Sequence, residues 1–151
     1  GIDRADPEMP IGVGVGRRRG EIVIVKRAGE FAIVSEADLQ AALDLMRTDL
    51  DQGRAPVQGD RLFHLHIAEA ADNGPLLRTV TALYDERYSP LFEQLAQHEE
   101  TLSSWRLALA EHQAVFDAIA RQDAVAARAA MHHHLQQSHD RLAGLLSPAA
   151  A

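Results

Sequence analysis

From residue 35 onward, apolar positions recur at the three- and four-residue intervals of helices packed along one face. Ser35 and Asp38 form a capping-box-like start, and Leu39, Ala42, Leu43, Met46 and Leu50 supply the stripe that follows. Gly53 and Pro56 end that helix. A second helix is predicted from near Gly59 to Ala71, closed by the turn cluster Asp72, Asn73, Gly74 and Pro75. Leu76, Leu77, Val80, Leu83 and Tyr84 carry a third helical pattern to about Tyr88, and Pro90 breaks or kinks the chain. Two longer helices are predicted from roughly Ser103 to Arg121 and from Asp123 to about Leu146. The pattern predicts an all-α fold, an antiparallel bundle of five to six helices.

The N-terminal part follows no such period. Residues 1–16, with Pro7, Pro10 and the alternating Gly12, Gly14 and Gly16, read as a flexible arm or linker, and residues 17–151 as the helical domain. The glycines weakly resemble a phosphate-cradling loop, but no later segment supplies the parallel sheet that such a loop needs. Within residues 17–34, the β-branched run Ile22–Val25 fits either a strand or a buried helix.

Composition narrows the function classes. The 151 residues are 46% hydrophobic and 25% charged, enough for one ordinary globular core. There is no cysteine, so thiolate metal sites and disulfides are excluded, in keeping with a cytoplasmic protein. No apolar run has the length of a membrane span, which predicts no membrane partner. A formal net charge of -7 argues against a general electrostatic grip on DNA by this chain alone. Eight histidines are the unusual count, and their placement carries the chemistry.

Metal ligation needs several nitrogen or oxygen donors that converge from buried helix faces. Asp60 and His64 are four residues apart and share one side of a helix. His112 falls in the middle of the stripe made by Trp105, Ala108, Val115, Phe116 and Ile119. His132, His133 and His134 are successive, each turned by about 100° from the last, so only one points well inward. His134 lies roughly 60° from the inward Met131 and is the candidate. Three helices thus offer Asp60 with His64, His112 and His134, a set suited to one divalent transition metal. Zinc is the first choice, with nickel, manganese and iron(II) as alternatives. Each residue also has a plainer reading, as a hydrogen-bonded core histidine or a first-turn acid. Glu111 and Gln137 are candidate hydrogen-bond partners of the ligands that spacing alone does not place.

These residues resemble a known signature. The stretch from Asp60 through Phe63, His64, Ala70, Asn73 and Leu77 is similar to the D-x-x-F-H…N pattern of the FCD domain, the C-terminal effector domain of FadR-subgroup GntR regulators. Glu111, His112, Ala118, Ile119, Asp123, Ala127, Met131, His134 and Leu135 resemble its second pattern, so the likeness spans about residues 35–146. The resemblance implies Asp60, His64, His112 and His134 as metal ligands, beside a pocket for a small organic acid. It also implies a homodimer that contacts DNA through a winged helix-turn-helix absent from these residues. Asn73 matches the family's asparagine, and Arg17 with Glu21 has the spacing of its R-x-x-x-E opening. Both are therefore effector-binding candidates, although Gly20 and Ile22–Val25 make a poor helix.

The expected function is an effector-sensing, metal-binding regulatory domain and not an enzyme. Two alternatives are a helical metal-dependent hydrolase, with Glu69 or Glu111 as its base, and a metal-free helical dimerisation module.

Overall fold

The computed structural model describes residues 15–18, 21–27, 30–90, 92, 94 and 100–146. Its first elements are strands β1 (Val15–Arg18), β2 (Glu21–Arg27) and β3 (Glu30–Ser35). They form an antiparallel meander in the order β1-β2-β3, with Ile22 facing Arg17 on one side and Val34 on the other. The all-α expectation therefore stops short of this segment. The β-branched run fitted two structures locally, and pairing with segments on both sides makes it a central strand. β1 also crosses the boundary expected between residues 16 and 17; the rest of the expected arm, residues 1–14, lies outside the described residues.

From residue 36 the chain is helical, and among the described residues it forms α1 (Glu36–Asp51), α2 (Val57–Ala70), α3 (Gly74–Asp85), α4 (Leu102–Ala120) and α5 (Ala124–Leu146). A single 3-10 turn, Glu86–Tyr88, extends α3. The starts follow from capping. Ser35, Asn73, Thr101 and Asp123 each accept a hydrogen bond from a backbone N–H three residues on, which satisfies a donor that the helix itself leaves unpaired. Pro75 in the first turn of α3 costs nothing, because its missing N–H falls where no intrahelical acceptor exists.

The core lies where α1 packs on α2 and α4, with α5 laid along α4 behind a short turn at Arg121–Asp123. Leu39, Leu43 and Met46 of α1 meet Phe63 of α2 and Trp105, Val115 and Ile119 of α4. No helix among the described residues is long and apolar enough to cross a membrane.

Gly59 sets the approach of α1 to α2. A Cβ there would lie 2.8 Å from the Ala42 carbonyl oxygen, 2.9 Å from the Met46 nitrogen and 2.6 Å from Met46 Cγ. Two of these atoms are backbone and cannot rotate aside. Gly59→Ala gains about 1 kcal/mol of helix propensity, but overpacking costs roughly 1–3 kcal/mol and wins. The variant is expected to unfold at lower urea concentration than wild type. An unchanged midpoint would show that the two helices separate freely.

Candidate metal centre

Three helices deliver the donors. Asp60 and His64 lie one turn apart on α2, flanking the fully buried Phe63. His112 of α4 is also fully buried, with the Phe63 ring edge-on at 4.8 Å between centroids. His134 of α5 is buried, whereas His132 and His133 face water. The structure thus brings together the four residues selected by helical spacing. One ligand atom from each of His64, His112 and His134 lies within 4.8 Å of the others. Asp60 sits at the edge of this set, its Oδ1 3.0 Å from His112 Nε2 and 3.7 Å from His64 Nε2.

The second ring nitrogens fix which atoms face inward. His112 Nδ1–H donates to the Ala108 carbonyl at 2.6 Å, and His134 Nδ1–H donates to Glu111 Oε2 at 2.8 Å. In the neutral imidazoles that leaves lone pairs at both Nε2 atoms. Each lies 3.1 Å from His64 Nε2, and a proton on that atom can serve only one of them. His112 Nε2 also confronts the Asp60 carboxylate. A single cation among these atoms resolves every contact at once. The two 3.1 Å spacings from His64 fit: nitrogens about 2.1 Å from one ion are about 3.0 Å apart as octahedral neighbours and about 3.4 Å in a tetrahedron. The donor set therefore suits a divalent transition metal.

Electrostatics favour the same state. Burial pushes the His64 imidazole down to about 3, against the opposing pull of Asp60. Burial also lowers His134, outweighing the support of Glu111. Burial alone would raise Asp60, but hydrogen bonding with His112 and attraction to His64, His112 and Arg87 hold it below the usual carboxylate range; a cation among the imidazoles would supply that attraction in place of ring protons. An ionised carboxylate beside proton-free imidazoles is what a metal ion requires.

A cavity of about 430 Å³ opens beside the cluster, with Asp60, His64 and His134 in its wall. Leu76, Val80 and Leu83 of α3 face Met131, Leu135 and Leu142 of α5 across it. Arg87 and Arg141 bring positive charge to this apolar space. Arg87 pairs with Glu100 at 2.5 Å and lies over the rings of Phe92 and Trp105, 5.1 and 5.4 Å from their centroids. Tyr84 stands 5.5 Å from the His64 ring, and burial together with the Asp60 charge keeps its hydroxyl protonated.

Asn73 is exposed, its Oδ1 accepts from Leu76 N at 3.1 Å, and it is not among the cavity-lining residues. Arg17 is on β1 opposite Ile22, and its side chain lies outside the described residues. Sequence reasoning missed Arg87 and Arg141. Arg141 had a signal: it follows His134 by seven residues, two turns along the same helix face.

Comparison with known proteins gives the same direction. The chain is 34% identical over 85 residues to the Uxu operon transcriptional regulator of Escherichia coli K12, covering 56% of this chain and 33% of that protein. It is 37% identical over 95 residues to a protein assigned to regulation of the L-lactate dehydrogenase operon in the same organism, and to one of the same description in Shigella flexneri. These alignments cover 54% of this chain and 32% of each relative, so the chain spans about a third of the length of the relatives it matches. The FCD domain profile matches residues 26–137, which take in all four clustered side chains and the capping residues of α1 and α3 to α5. The chain belongs to the FCD domain family, the effector-domain family of GntR-type regulators.

Proposed function

We propose that this chain is the sensing domain of a GntR-type transcription regulator, loaded with one divalent transition metal and responsive to a small organic acid. The observation that carries the reading is the convergence of three buried Nε2 atoms and the Asp60 carboxylate beside an apolar cavity edged by arginines. Asp60, His64, His112 and His134 hold the metal, and zinc suits this nitrogen-rich set best. When bound, the metal offers a positive centre to which a carboxylate oxygen can ligate. The cavity's leucines and Val80 take the acid's carbon skeleton, and Arg87 and Arg141 favour its negative charge.

In the full-length regulator, two such domains form a dimer, and DNA is held in the cytoplasm by a winged helix-turn-helix domain outside these residues. The acid alters DNA binding only as far as its affinity differs between two arrangements of the helices. The names of the relatives, each tied to control of an operon, support regulation over hydrolysis.

Elemental analysis of purified protein tests the metal step. One metal ion per chain is expected in wild type, and a substoichiometric residue in His112→Ala and His134→Ala with helical content retained. Equal metal content in all three proteins would remove the site.

Acid stability gives an independent test in protein stripped of metal. His64 titrates at 6.5 when exposed but at about 3 when folded, so below pH 6.5 the unfolded chain takes up a proton that the folded chain refuses. Stability is complete above pH 6.5 and is lost progressively as pH falls toward 3. His64→Gln is expected to flatten this slope in urea titrations between pH 7.5 and 4, and an identical slope in both proteins would contradict the burial argument.

A further inference from the structure

One cation on the cavity wall is wired to the cluster. Arg141 lines the cavity and donates twice to Glu111, Nη1 to Oε1 at 2.8 Å and Nη2 to Oε2 at 3.0 Å. The same Oε2 accepts from His134 Nδ1 at 2.8 Å, and His134 turns its Nε2 to His64 at 3.1 Å. A single carboxylate therefore stands between a cavity cation and a cluster imidazole. Glu111 is not among the cavity-lining residues, so an anion in the cavity meets it through Arg141 or His134, the two lining residues to which it is hydrogen-bonded. Arg87 acts on the cluster differently: its charge is felt by Asp60 and His64 through space, and its own carboxylate partner is Glu100, with no carboxylate shared between it and a cluster imidazole.

We propose that Arg141 anchors the carboxylate of a small organic acid, and that Glu111 transmits this binding to His134, coupling the acid to the metal. The inference rests on the metal reading above and adds its regulation. A guanidinium has five N–H donors, two of which serve Glu111 here. An anion taking others draws positive charge away from Glu111. Glu111 then accepts more strongly from His134 Nδ1–H, which strengthens Nε2 as an electron-pair donor to the metal. By linkage, the metal tightens acid binding by the same factor. An acid that only ligated the metal would also couple to it, but with no need of Arg141 or Glu111.

Zinc affinity measured against a chromophoric chelator, in acetate and in chloride at equal ionic strength, separates these cases. Acetate is expected to tighten zinc binding about fivefold or more in wild type. In Arg141→Gln and Glu111→Gln the effect is expected to fall below about twofold. Glu111→Gln should also weaken zinc binding in chloride by roughly tenfold, because it removes the charge behind His134. Arg141 is about a quarter exposed, with 27% of its side-chain surface accessible, so its replacement leaves the core intact. Acetate effects equal in all three proteins would overturn the relay and leave the metal site standing. A wild type that binds no zinc would overturn both.

Discussion

Three imidazole nitrogens and a carboxylate oxygen crowd one buried point between α2, α4 and α5, and such a set repels itself unless positive charge lies within it. In water each lone pair would find its own proton donor. Here burial withholds solvent, and the Ala108 carbonyl and Glu111 turn the protons of His112 and His134 outward. Protonating His64 is the local alternative, yet its surroundings oppose that down to about pH 3. A divalent ion would neutralise the whole set in one step, where protons would do so singly and against burial.

The scaffold holds this arrangement because each donor is bracketed by core side chains. Asp60 and His64 ride on either side of Phe63, which is locked against His112. His112 lies between Ala108 and Val115 on a stripe that also packs against α1. Moving any imbalance out of the cluster would mean unpacking Phe63 or breaking the Gly59 contact between α1 and α2. Core packing and site geometry are thus one constraint, and the ring orientations are set before any ligand arrives.

Helical periodicity made the four donors legible, because a period of 3.6 converts sequence spacing directly into direction. It separated His134 from His132 and His133 on nothing but angle. It failed where direction depends on a second element. Glu111 was visible as a neighbour of His112, but its partner is on another helix 23 residues away. Arg141 reads as an ordinary solvated charge near a helix end until the Glu111 fork is seen. The strands were illegible for a related reason: Ile22–Val25 has no preference between helix and sheet until Val34 and Arg17 flank it. Asn73 shows the reverse case: the turn cluster before Pro75 marks a helix start, and its side chain caps α3 through the Leu76 N–H.

The weakest-packed wall of the cavity explains how a bound acid would be felt. None of the 12 residues of α3 is buried, and Leu83 remains 65% exposed although it borders the cavity. Leu135 and Leu142 of α5 are also exposed, at 54% and 41%. A carbon skeleton lodged between them would cover apolar surface on both helices at once, by an amount that depends on where α3 stands. The α2 and α4 sides of the site are fixed by the core, so contacts made there are nearly the same in any arrangement and shift no equilibrium. Only a contact whose strength changes with helix position can favour one arrangement over another. On the regulatory reading proposed above, the metal and the arginines would select the acid, and α3 would be where its presence becomes a change of shape.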